Sequence, residues 1–138
     1  MSLVHIDPDG MPSNPAFSQG VRIDGPGSLL VVGGQNGIGP DGAVVSDDVG
    51  EQGAQALRNV LAVVEAAGAT QADIAKLTIH VVGDADFGAL HGAAQEIWGT
   101  QRTAVTVVRV AGLGSPDWLI EIEALAQIPA SDQAAIAS

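Results

Sequence analysis

The chain has 138 residues, 16 acidic against five basic side chains and no cysteine, for a formal net charge of −11. That length fits one domain, residues 1–138, with a core of its own, and the missing cysteines exclude a disulfide framework and a thiol nucleophile. The five cations, Arg22, Arg58, Lys76, Arg102 and Arg109, are scattered, so the clustered positive charge that grips phosphates is lacking and no nucleic-acid partner is expected.

Residues 1–14, with Pro8 and Pro12, read as an extended arm carrying a short strand at Leu3–Ile6. Phe17–Ile23 alternates as a strand does, Asp24-Gly-Pro-Gly supplies turn chemistry, and Ser28–Val32 follows. Together they predict a β-hairpin. Gly33-Gly34 ends it and a glycine-rich loop runs from Gly37 to Gly42; the Lys-Ser/Thr ending of a phosphate loop is absent.

From Val49 to Ala67 apolar residues fall at Ala54, Leu57, Val60, Leu61, Val64 and Ala67, a helical stripe. Asp47 and Asp48 suit its N-terminus and Gly68 its C-terminal turn. Ala72–Val82 predicts a strand, with Leu77, Ile79 and Val81 on one face and Thr78, His80 and Val82 on the other. A second helix is predicted from Asp86 to Trp98, closed by Gly99, with Phe87, Leu90, Ala94, Ile97 and Trp98 inward. Two β-patterned runs between Gln101 and Ala126, joined by the loop Ala111–Trp118, complete the domain, and 129–138 reads as a flexible tail.

The order β-β-β-α-β-α-β-β predicts an α+β, two-layer fold: one mixed six-stranded sheet with two helices on one face. Ile120, Ile122, Ala124 and Ala126 then face the helices, and Glu121 and Glu123 point away. That second face is also apolar in part, because Leu29–Val32 and Val107–Val108 are apolar at consecutive positions. Its expected cover is a second copy of the chain, which places the glutamates near a subunit interface. The 46% apolar content and mean hydropathy of +0.29 fit such sharing. No apolar run reaches the ~18 residues of a membrane span, and MSLVHIDPDG lacks the features of a secretion signal. The expected location is the cytosol.

A charge inside an apolar run needs a partner or a use, since desolvation costs several kcal/mol or more. Arg102, at the head of one run, and Glu121, inside the next, are therefore the candidate functional pair. Simpler roles stand beside that one. Arg102 could pair with a carboxylate of a neighbouring subunit, and Glu121 could cap a backbone amide or pair with Arg109. Glu123 reads as structural, and His91 is either solvated or lines a pocket. Three histidines without close spacing make no metal site.

Six segments carry a resemblance. They are Pro15-Ala16-Phe17-Ser18-Gln19-Gly20-Val21, Val32-Gly33-Gly34-Gln35, Gln55 to Val60 running on through Glu65-Ala66-Ala67-Gly68-Ala69, Asp86-Phe87, Arg102-Thr103-Ala104-Val105, and Ile120 to Ala126. In this order they resemble the reactive intermediate deaminases, the Rid or YjgF-like family. The resemblance implies a chorismate-mutase-like fold, a homotrimer with a central β-barrel, and pockets between subunits. It implies hydrolysis of small carboxylate-bearing enamines and imines to a 2-oxo acid and ammonia, without metal or cofactor. Arg102 would hold the substrate carboxylate through two parallel hydrogen bonds, and Glu121 would polarise the attacking water. Gly33 and Gly34 would line the pocket. A non-catalytic trimer that binds a small carboxylate is the alternative, and RNA cleavage a third, disfavoured by the charge.

The chain also departs from the family pattern. Phe17 stands where Tyr is common, Gly33 where Ser is, Ala104 where some members have Cys and His91 where Asn occurs, while Thr100-Gln101 replaces Pro-Ala. Trp118, beside a longer loop, either shapes the pocket mouth or packs in the trimer.

Overall fold

The longest helix, α1 (Val49–Ala66), begins where Asp48, in extended conformation, accepts a hydrogen bond from the Glu51 amide at 2.9 Å, satisfying one of the free N–H groups of the first turn. It ends before Gly68, whose φ of 89° is open to glycine at little cost. Its inward stripe of Ala56, Leu57, Val60 and Val64 is buried. Each such valine or leucine contributes roughly 1.5–3 kcal/mol relative to exposure. The second helix, α2 (Phe87–Trp98), is capped in the same way, with Asp86 accepting from the Gly88 amide and Gly99 at φ 71° closing it, but of its expected inward residues only Leu90 is buried and Phe87 is exposed. The coordinates are a computed structural model, and they describe residues 3–130.

Both helices cover one face of a four-stranded sheet in the order β3-β6-β4-β5, formed by β3 (Gly27–Gln35), β4 (Ile74–Val82), β5 (Ala104–Val110) and β6 (Ile120–Pro129). β6 runs antiparallel to β3 and β4, and β5 is parallel to β4, so the sheet is mixed. Alternation divides its faces as the pattern requires. Ile120, Ile122, Ala124 and Ala126 are buried under the helices, whereas Glu121 is half-buried and Glu123 exposed on the far side. That far side leaves Leu29 and Val31 64% and 66% exposed. A single chain therefore leaves apolar side chains in water on its second face.

The strand pairing differs from that expected. The six strands do not form one sheet: β1 (Leu3–Ile6) and β2 (Gly20–Ile23) make a separate antiparallel pair. The hairpin between the second and third strands does not form either: β3 pairs along one edge with β6, setting Leu30 opposite Ala126 and Val32 opposite Ala124, and its other edge has no partner among the described residues. β2, four residues long, pairs with β1 instead. β6 offers β3 ten residues of matching alternation. The strand expected from Ala72 begins at Ile74, after a 3-10 turn over Gln71–Asp73 fixed by a capping box between Thr70 and Asp73. The last strand extends to Pro129, and 131–138, most of the expected tail, lie outside the described residues.

Candidate functional site

Glu121 sits on β6 opposite His80 of β4 and against Gly34 of β3. A Cβ on Gly34 would lie 2.7 Å from the Glu121 Cδ, so a side chain there would push the carboxylate from its present position. Gly33 has open space instead. Asn36, buried, donates from Nδ2 to the Ile120 carbonyl at 3.0 Å and to the Glu121 Oε1 at 3.4 Å. Asn59 of α1 in turn donates to the carbonyls of Asn36 at 3.2 Å and Ile38 at 2.9 Å. The acid is thus oriented by an amide chain running back into the helix layer, with its second oxygen left for water or ligand.

Arg102 lies just ahead of β5. Its Nη2 donates to the Asp7 Oδ2 at 2.5 Å and to the Phe17 carbonyl at 3.0 Å, while its Nε is buried without a partner. Asp7 also accepts from the Gln19 amide at 3.0 Å. That backbone donor first, and then the guanidinium, hold its carboxyl below the usual carboxylate range. Arg109, the other partner considered for Glu121, is engaged elsewhere: its guanidinium lies 3.9 Å from the Phe87 ring centroid and donates to the Gly83 and Ala85 carbonyls.

One protomer does not bring Arg102 and Glu121 together. Along β4, Glu121 faces His80 and Ala104 faces Lys76, and Arg102 lies two residues beyond Ala104. At ~3.3 Å per residue the two positions are about 20 Å apart along the strand direction.

The remaining candidates divide between regions. Phe17 and His91 line a cavity of about 590 Å³ between α2 and the β5 edge, with Leu57, Phe87, Leu90 and Trp98. Gly33, Gly34, Ala104 and Trp118 are not among its walls. Ala104 is half-buried at the start of β5, and Trp118 packs on its own loop, where a Cβ at Gly114 would come within 2.9 Å of its ring. Among the described residues no group of three or more His, Cys, Asp or Glu is placed to hold a metal ion.

Sequence reasoning missed Asp7, Asn36 and Gln52. Gln52, fully buried, donates to the Ser46 and Asp117 carbonyls and accepts from the Leu119 amide at 2.9 Å, tying the loop before β6 to α1. It stands four and eight residues before the buried Ala56 and Val60, and an amide on that stripe was a legible sign of a polar anchor. Asp7 carries no local signal.

The chain is an α+β domain with two helices on one face of a mixed sheet, and Glu121 and Arg102 lie toward opposite ends of that sheet. The family model described as Endoribonuclease L-PSP matches residues 10–128, and the chain belongs to that family, the YjgF or Rid family. It is 39% identical over 114 residues to the 2-iminobutanoate/2-iminopropanoate deaminase of Salmonella typhimurium, covering 80% of this chain and 85% of that one. Among solved structures it resembles YyfB of the Rid family from Yersinia pestis, with a TM-score of 0.82 and 33% identity over 92% of this chain and 99% of that one. It also resembles Escherichia coli TdcF with bound serine, with a TM-score of 0.66 and 28% identity over 83% and 95% of the two chains.

Proposed function

We propose that the protein hydrolyses small carboxylate-bearing enamines and imines to 2-oxo acids and ammonia, as a homotrimer whose sites lie between subunits. The observation that carries this reading is the oriented, half-buried Glu121 carboxylate on a face with exposed Leu29 and Val31, together with 39% identity to a relative named for this activity. A second copy seated on that face covers the apolar side chains and brings Arg102 of one subunit toward Glu121 of another.

In this reading the guanidinium holds the substrate carboxylate and Glu121 takes a proton from a water. The water oxygen bonds to the imine carbon, and Glu121 passes the proton it took to the imine nitrogen, giving a neutral carbinolamine. Glu121 then takes the hydroxyl proton as the carbonyl forms and the C–N bond breaks, and gives it to the departing nitrogen. The products are the 2-oxo acid and ammonia, and the enzyme ends as it began. Phe17 contributes a ring and a backbone carbonyl, with no hydroxyl.

A non-catalytic carboxylate binder is the second reading, favoured by the serine bound to the TdcF relative. Coupling to a threonine dehydratase separates the two. Faster release of 2-oxobutanoate than with the Arg102→Ala protein supports hydrolysis. No acceleration, with 2-oxobutanoate still bound tightly, supports the binder. RNA cleavage fits poorly with a net charge of −11, and salt-sensitive RNA binding near neutral pH would reverse that judgement. No helix of the described residues is long and apolar enough to cross a membrane, and a cytosolic location goes with the proposed activity.

A further inference from the structure

A guanidinium grips a carboxylate through one of two forks, Nε with Nη2 or Nη1 with Nη2, and each fork needs a hydrogen on Nη2. Nη2 of Arg102 carries two hydrogens and faces two acceptors, the Asp7 Oδ2 at 2.5 Å and the Phe17 carbonyl at 3.0 Å. With Asp7 in place neither fork is open, and an incoming carboxylate meets Nη1 alone. Nε meanwhile is buried and unpartnered, so the pairing with Asp7 leaves the guanidinium less than fully satisfied. A buried orphan donor of this kind calls for an explanation.

Asp7 is placed to leave. It directly follows β1, which pairs only with β2 among the described residues. The bonds that hold it, from the Gln19 amide and from Arg102, are solvent-exposed, with side chains 26% and 34% accessible across the ion pair. Segments held by exposed hydrogen bonds open at low free-energy cost. When Asp7 moves away, Nη2 recovers a hydrogen and a fork becomes available.

We propose that Asp7 is a specificity-determining residue, a carboxylate of the chain itself that competes with the substrate carboxylate for Arg102. The inference rests on the reading of Arg102 as the carboxylate-binding group. It deepens that reading by dividing ligands into those whose other contacts outweigh Asp7 and those that depend on the carboxylate alone. The smallest imino acids belong to the second group and bear the whole of the competition. A ligand whose carboxylate is replaced by a methyl group bears none.

The test is calorimetric titration of the full chain with 2-oxobutanoate and, as the uncharged control, 2-butanone. Asp7→Ala removes the competitor. Asp7→Asn removes its charge while keeping an oxygen for the Gln19 amide, so the segment stays folded. Both variants should bind 2-oxobutanoate about fivefold tighter than wild type, near the upper end for an ion pair of this exposure. 2-Butanone should be unaffected, and the gain should vanish in an Arg102→Ala background. Unchanged affinity in both Asp7 variants, with Arg102→Ala abolishing binding, would overturn the competition while sparing the role of Arg102. Affinity for 2-oxobutanoate that is indifferent to Arg102→Ala would overturn both.

Discussion

Gly34 and Glu121 lie so close across β3 and β6 that a Cβ on the glycine would fall 2.7 Å from the Cδ, 2.8 Å from the Cγ and 3.0 Å from the Oε1 of the glutamate. All three atoms belong to a flexible side chain, so the collision can be relieved by turning the carboxylate away from Asn36. Gly34→Ala should therefore leave stability within about 1 kcal/mol of wild type and reduce turnover by about ten- to a hundredfold, because the acid is displaced by roughly an ångström. Thermal denaturation beside steady-state rates checks this. Gly33→Ser, at a position with open space, should change stability little.

Gln52 holds three backbone groups of two loops while being fully buried. Gln52→Ala strands the Leu119 amide and leaves a void beside Gly37, whose approach to Gln52 is tight enough that a Cβ would meet its Cα at 2.5 Å. The expected loss is about 3 kcal/mol, the sum of an unsatisfied buried donor and a cavity. Urea denaturation measures it, and a loss under 1 kcal/mol would mean that the loop is anchored elsewhere.

The Asp7 carboxyl is held below its ordinary value of 3.8. A depressed folded-state pKa means that the contact contributes fully above the unfolded value and is lost as pH falls through the folded one. The contact should therefore be constant from neutral pH down to about 4 and fail only below that. The Gln19 amide proton reports it directly: its chemical shift should titrate with a midpoint below 3.8, and the step should disappear in Asp7→Asn.

Leu29 and Val31 are the most exposed large apolar side chains described. If a second copy covers them, Val31→Asp should shift the protein to a monomer in sedimentation and lower its melting temperature. An unchanged sedimentation coefficient would show that this face is not the subunit contact.

The local grammar of the fold was legible: Asp48 and Asp86 as helix starts, Gly68 and Gly99 as stops, and the alternation that sends Glu121 away from the helices. Partner choice was not. Asp24 to Gly27 reads as a hairpin turn, yet β2 pairs with β1 and β3 joins the edge of another sheet beside a strand about ninety residues on, and no local signal marks either partner. The site shows the same divide. Glu121 announced itself as a charge in an apolar run, whereas the Asp7 contact spans 95 residues of sequence and nothing around Asp7 marks it. The separation of Arg102 from Glu121 within one chain emerges only from strand register.

Complementation measures most directly whether each site draws Arg102 and Glu121 from different chains. Arg102→Ala and Glu121→Gln chains, each expected to be inactive alone, are co-expressed in equal amounts and the whole population of oligomers is assayed for 2-oxobutanoate release. A site shared across a head-to-tail junction predicts recovery of about a quarter of the wild-type activity, since about one junction in four keeps both native residues. Mixed oligomers no more active than either variant by itself would contradict it.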